Sequence, residues 1–163
     1  VDSPSRARSA LGRRSLLRLF AAVPVAAALT TACSPAPDEP DPLVALAAAA
    51  KSDAQLAKAV AHAHSELAEA ANEIATARAA HADAMQREID RVAPRDPEDP
   101  PSVPDAAPQQ APGSADAAAK ALRDALTGAQ NQAAQLVPGL SAYRAGLLGS
   151  VSASCASLRE VLK

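Results

Sequence analysis

Between Leu43 and Val92 the chain contains no Gly and no Pro, and its apolar residues return at alternating steps of four and three: Leu56, Val60, Ala63, Leu67, Ala70, Ile74 and Ala77. That spacing is the heptad of a helix with one apolar seam. The positions between are rich in Ala, Lys, Gln, Glu and Arg, all strong helix formers. His81, Met85, Ile89 and Val92 carry the stripe onward with a slight drift. The pattern predicts a first helical arm over residues 43–92, roughly 75 Å long at 1.5 Å per residue. A second stripe begins after Ser114, a candidate N-cap. Leu122, Leu126, Ala129, Ala133, Leu136, Leu140, Tyr143, Leu147, Val151, Ser154 and Leu158 define an arm over residues 115–163. Pro138-Gly139 falls inside it, but the stripe keeps its phase, which favours a kink over a full turn.

Two proline-rich stretches separate these patterns. Residues 33–42, Cys33 followed by SPAPDEPDP, hold four prolines and three acids and read as an extended tether. Residues 93–114 hold seven prolines and no apolar period, and read as a disordered loop. The fold class is therefore all-α. If the chain reverses near Val103, the two arms form a long antiparallel helical hairpin, kinked at Pro138-Gly139, with Leu67 opposite Gly139 and Val60 opposite Gly146. The small residues near the C-terminus, Gly146, Gly149 and Ser150 among them, would then let the helices approach closely. The alternative is a small four-helix bundle, with Pro138-Gly139 as a true turn and a second break near Asn72. The absence of a strong breaker from Leu67 to Ile74 favours the hairpin.

Ahead of the tether the pattern changes again. Arg6, Arg8, Arg13 and Arg14 precede an apolar run from Leu16 to Ala32 that is interrupted by Arg18, Pro24, Thr30 and Thr31. About 17 residues are at the lower limit for spanning a bilayer. A basic head, a short apolar body and a small-residue exit describe an export signal. Gly12-Arg13-Arg14-Ser15-Leu16-Leu17-Arg18 resembles a twin-arginine (Tat) export motif, with Leu16 where Phe is commonest and Arg18 where Lys is commonest. Leu29-Thr30-Thr31-Ala32-Cys33 resembles a lipobox, departing from it at Thr30, where Leu is usual. These resemblances imply a signal peptide over residues 1–32, cleavage before Cys33, and a covalent lipid on its sulfur. They also imply contact with the twin-arginine machinery and the lipoprotein-processing enzymes, and a final place on the extracytoplasmic face of the cell membrane. Beyond the signal, the alanine-rich body and small-residue tail are similar to alanine-rich exported lipoproteins of actinobacteria, a resemblance that brings no activity with it.

Composition supports the helical reading. There is no Trp, one Phe and one Tyr, and Phe20 lies in the signal. A core without aromatics must be built from Leu, Val, Ile and Ala at close range, which suits helices better than a β-sandwich or barrel. Removal of residues 1–32 leaves 11 basic and 17 acidic side chains. So acidic a chain does not bind nucleic acid through a basic surface. Nor does its composition supply a polybasic patch for anionic lipids, so the membrane link is expected through Cys33.

The residues offer little catalytic chemistry. There is no CxxC, HExxH, phosphate-binding glycine loop or GxSxG, and the chain reads as a non-enzyme with no cofactor beyond the lipid. His62, Glu66, Glu69 and Glu73 recur on one helical stripe and are weak candidates for a metal site. Di-iron bundles need inward Glu and Glu-x-x-His pairs on facing helices, and here the second half has no His. The stripe reads more readily as a solvated face. His81 on the apolar stripe reads as a core-edge histidine, Cys155 as a small buried hydrophobe, and Tyr143 as packing its ring while exposing its hydroxyl. The function expected is a structural or protein-interaction role in the cell envelope with an envelope protein as partner. The alternative is a small ferritin-like domain that binds a metal or ligand.

Overall fold

The computed structural model describes residues 40–162, and the expected signal peptide, Cys33 and most of the expected tether lie outside them. Four α-helices make up the described part: α1 (Pro42–Ala63), α2 (Ala68–Val92), α3 (Ala115–Leu136) and α4 (Ala142–Leu158). Three short 3₁₀ turns accompany them, at Ser65–Leu67, Val137–Gly139 and Arg159–Leu162. The all-α class holds, and the helices form a small four-helix bundle.

Each boundary has a local cause. Asp41 opens α1 by accepting the Leu43 amide at 2.9 Å, with Pro42 in the first turn, where a missing N–H costs nothing. Ser114 opens α3 by accepting the Ala117 amide at 3.3 Å. At the other end of α3, Val137–Gly139 tightens into a 3₁₀ turn and Leu140 is extended. Pro138-Gly139 is thus a true break, and the kinked arm is corrected to two helices. An unbroken stripe phase did not prevent this, because Pro138 has no N–H with which to continue the ladder.

The first arm is also two helices. It breaks at His64, whose backbone is extended while its amide still bonds the Val60 carbonyl at 2.9 Å. The break lies eight residues before Asn72 and needs no Gly or Pro. Folding the arm back on itself lets α1 bury Leu43, Leu46, Ala47, Ala50, Ala54, Ala57 and Val60. The same fold buries Ala71, Ile74, Ala75, Ala82, Met85 and Ile89 of α2. Tertiary burial outweighs helix propensity here. The single heptad stripe therefore splits into two phases: Val60 and Ile74 are buried, Leu67 is half-buried and Ala63 is exposed.

Contacts along the bundle set its topology. α1 packs most extensively on α2, then α3 on α4, and α1 also packs on α3. Asp53 of α1 meets Arg78 of α2, Arg78 and Glu88 of α2 meet Cys155 and Arg144 of α4, and Gln130 of α3 meets Ser152 of α4. Neighbouring helices are thus antiparallel, while α2 and α3 run the same way. The connection between them must return along the bundle.

Residues 93–114 make that return. The segment has no helix or strand, as the sequence implies, but the disordered loop is corrected to a crossover laid on α1 and α2. Ser102 donates to Asp90 at 2.8 Å and the Val103 amide to Gln86 at 3.2 Å. Lys51 donates to the Val103 carbonyl at 2.9 Å and pairs with Asp105 at 3.1 Å. Nearer the α1–α2 turn, His64 Nε2 donates to the Pro112 carbonyl at 2.8 Å. Val103 is fully buried and joins the core. The expected reversal at Val103 is therefore absent. Gly139 and Gly146 are exposed, and a Cβ on Gly139, Gly146 or Gly149 would meet nothing within 4 Å. These glycines do not serve close helix approach.

Candidate functional site

Two charged clusters lie on the buried faces of the helices. The first is inside the bundle. Arg78 lies on the buried face of α2, next to the stripe's Ala77, and is 1 % exposed. Its Nε and Nη2 donate to Asp53 Oδ2 of α1 at 3.1 and 2.9 Å. Its Nη1 lies 3.2 Å from His81 Nδ1 and 3.6 Å from Cys155 Sγ of α4. A guanidinium only donates, so His81 Nδ1 accepts and the ring is neutral, with its proton on Nε2. Burial, reinforced by Arg78, lowers the His81 pKa to about 4. Burial raises the Cys155 thiol, against a smaller opposing pull from Arg78. It also raises Asp53, an effect Arg78 only partly offsets. Cys155 is free and buried. A raised thiol without access to solvent is a poor nucleophile, so this cluster specifies packing and offers no reactive centre.

The second cluster joins the start of α1 to α2 and α4. Arg144 donates to Asp41 through Nη1 and Nη2 at 3.1 and 2.6 Å, and through Nε to Glu88 at 3.0 Å. Glu88 is 3 % exposed and also takes Arg91 Nε and Nη2 at 2.7 and 2.8 Å. Bonds from Arg91, then from Arg144, outweigh burial and hold the Glu88 carboxyl at about 2. Asp41 thereby both caps α1 and anchors α4, although the sequence assigns it to the tether. The Arg91 guanidinium lies 5.8 Å from the centre of the Tyr143 ring. Tyr143 is 67 % exposed, so its ring meets an arginine and solvent and is not packed in the core, contrary to the expectation from sequence.

The sequence candidates fall as follows. Arg13, Arg14 and Cys33 lie outside the described residues. Glu66, Glu69 and Glu73 border one open hollow with Ala70 and Val161, while His62, exposed, ends α1 on the far side of the break. Among the described residues no three His, Cys, Asp or Glu side chains are placed to share one ion. His81 is at a core edge with a partnered ring nitrogen. Arg78, Glu88 and Asp53 were not singled out by sequence. The apolar stripe runs beside Arg78 and Glu88, through Ala77 and Ile89, so it does not mark either of them.

The chain matches no family model, no curated protein and no solved structure.

Proposed function

We propose that this chain is an exported, lipid-anchored helical protein of the cell envelope, with a structural or protein-interaction role. The observation that carries the reading is the pairing of Arg13-Arg14 ahead of a short apolar run with Leu29-Thr30-Thr31-Ala32-Cys33 at its end. Asp41, eight residues after Cys33, is already bonded into the bundle through Arg144. Eight residues reach at most about 29 Å, so a lipid on Cys33 would hold the α1 start of the bundle near the membrane. Among the described residues no helix is long and apolar enough to cross a membrane, and the lipid is the link this reading needs. Cys33→Ala should leave an unprocessed precursor or release the chain from membranes. Intact mass showing an unmodified mature Cys33 would overturn the anchor. Arg13→Lys with Arg14→Lys should block export, and unchanged export would assign the general secretory route.

One observation favours a second reading. Two antiparallel helix pairs joined by one long crossover are the connectivity of ferritin-like bundles. That analogy concerns fold alone. The residues inside the bundle do not fit a two-metal centre, because the Arg78 guanidinium occupies it with one carboxylate and one neutral imidazole. A ligand-binding role fits this reading better than a metal-binding one. Iron, manganese or zinc retained stoichiometrically through dialysis would reverse that preference.

A further inference from the structure

A hollow of about 440 Å³ opens between α2 and α4, bordered by Ala84, Arg87, Glu88, Arg91, Tyr143 and Leu147. Arg144 by itself ties Asp41 and Glu88 together across three elements. Arg91 adds no ion pair between helices, because its pair with Glu88 is within α2; it meets α4 at the Tyr143 ring. What that pair does is fix the direction of a guanidinium whose side chain is 64 % exposed. Glu88 uses two of its five N–H donors, and three remain for something outside the protein. Arg87 lies one turn earlier on the same face. It is exposed and has no ion-pair or hydrogen-bond partner among the described residues.

Charge at this place runs against the rest of the molecule. Arg87 and Arg91 border the hollow with Glu88, leaving one positive charge in a chain with more acids than bases. The Glu88 carboxylate does not repel an anion here, since two guanidinium groups share it. Tyr143 supplies an exposed ring beneath Arg91, with half-buried Leu147 beside it. A carboxylate is fully engaged by one guanidinium fork, whereas the oxygens of a phosphate reach two.

We propose that this hollow binds an organic phosphate, with Arg87 and Arg91 on the phosphate oxygens and Tyr143 and Leu147 against the organic portion. The phosphate can belong to a soluble ester or to a lipid headgroup. The site is independent of the lipid anchor and stands whether or not Cys33 is modified.

Tyr143 is the only Tyr in a chain without Trp, so intrinsic tyrosine fluorescence of the purified full chain reports on this site alone. Glycerol phosphate forms one arm of the titration and vesicles of phosphatidylglycerol the other. A saturable change is expected, weakened by about tenfold or more in Arg91→Gln and in Arg87→Gln, the loss for one charge-assisted contact. Arg123→Gln, on α3, should bind as wild type. Arg87 has no partner to lose among the described residues, so Arg87→Gln folds normally and keeps the test valid if Arg91→Gln does not. A response to the soluble ester assigns a soluble ligand, and a response to vesicles alone assigns a headgroup. Silence in both arms, or an Arg87→Gln titration that matches wild type, overturns the site.

Discussion

Arg78 Nη2 and Asp53 Oδ2 lie 2.9 Å apart across the α1–α2 interface, with the arginine side chain 2 % exposed and the aspartate 19 %. The two partners are unequal, because Asp53 keeps some contact with water and Arg78 has almost none. Removing the acid therefore strands a buried charge, while removing both charges together strands nothing. Asp53→Ala should destabilise by about 3–5 kcal/mol, and Asp53→Leu with Arg78→Met should come close to wild type or exceed it. Urea unfolding of the two variants checks this. A single variant as stable as the double would mean that Arg78 finds water when Asp53 is gone.

The same cluster gives the fold an acid limit. The His81 pKa is about 4 folded against 6.5 unfolded, so the unfolded chain binds the extra proton first. Stability then falls as pH drops from 6.5 toward 4. Arg78 faces His81, and Asp53 and Cys155 complete the cluster through Arg78. The raised Asp53 works in the opposite direction, taking up a proton more easily when folded. Glu88, held at about 2 against 4.5, adds a second loss as pH falls from 4.5 toward 2. His81→Gln should flatten the stability profile between pH 6.5 and 4 and leave the Glu88 window intact. Thermal unfolding across that range is the measurement, and a slope unchanged by the substitution would remove His81 as its source.

The helical class was legible because Ala, Leu, Glu, Lys, Gln and Arg dominate both arms and the apolar period is helical. Ser114 was legible as a cap because a hydroxyl before a run of helix formers has one obvious use. The break at His64 was not, since it has no local breaker and arises from burial gained when α1 folds onto α2. The crossover was not legible for a related reason. Seven prolines mark a segment that cannot be helix or strand, but they say nothing of whether side chains elsewhere will grip its backbone. Lys51 and Gln86 do so from two helices, at sequence separations no periodicity records. The charged clusters were hidden because Arg78 and Glu88 flank the apolar stripe, next to Ala77 and Ile89, and read as solvated. They are buried because Asp53 and Arg144 stand opposite them.

Cys155 should be silent toward alkylating reagents in the native protein. It is fully buried and burial raises its thiol pKa, so both access and thiolate fraction are low. Modification should occur through unfolding or local opening and should accelerate with urea in step with the loss of helicity. Peptide mass mapping locates the label. Rapid alkylation of Cys155 without denaturant would place the thiol at a surface.

The crossover hangs on Val103. Its side chain is fully buried, and its amide and carbonyl are held by Gln86 and Lys51. Most of the flanking residues are exposed, and the only backbone–backbone bond within the segment is Asp99 to Asp96 at 3.0 Å. Ordering about 20 residues costs on the order of 1 kcal/mol each, so a few anchors must hold what covalent connection to α2 and α3 does not. Burial of one valine is worth about 1.5–3 kcal/mol. Val103→Asp should therefore lift the middle of the segment while α1 to α4 stay folded, because no helix depends on it for a cap. Arg95 is the only Lys or Arg between residues 93 and 114, and it is fastened to Asp90 at 3.5 Å and to the Asp99 carbonyl at 2.8 Å. Trypsin cleavage after Arg95 should rise by about tenfold or more in Val103→Asp, the equivalent of losing about 1.4 kcal/mol of docking. Helical circular dichroism should stay near wild type. Val103→Ile, which keeps the apolar contact, should cut at close to the wild-type rate. If Val103→Asp is cut no faster than wild type, the polar grips of Lys51, Gln86 and Ser102 hold the crossover without the valine.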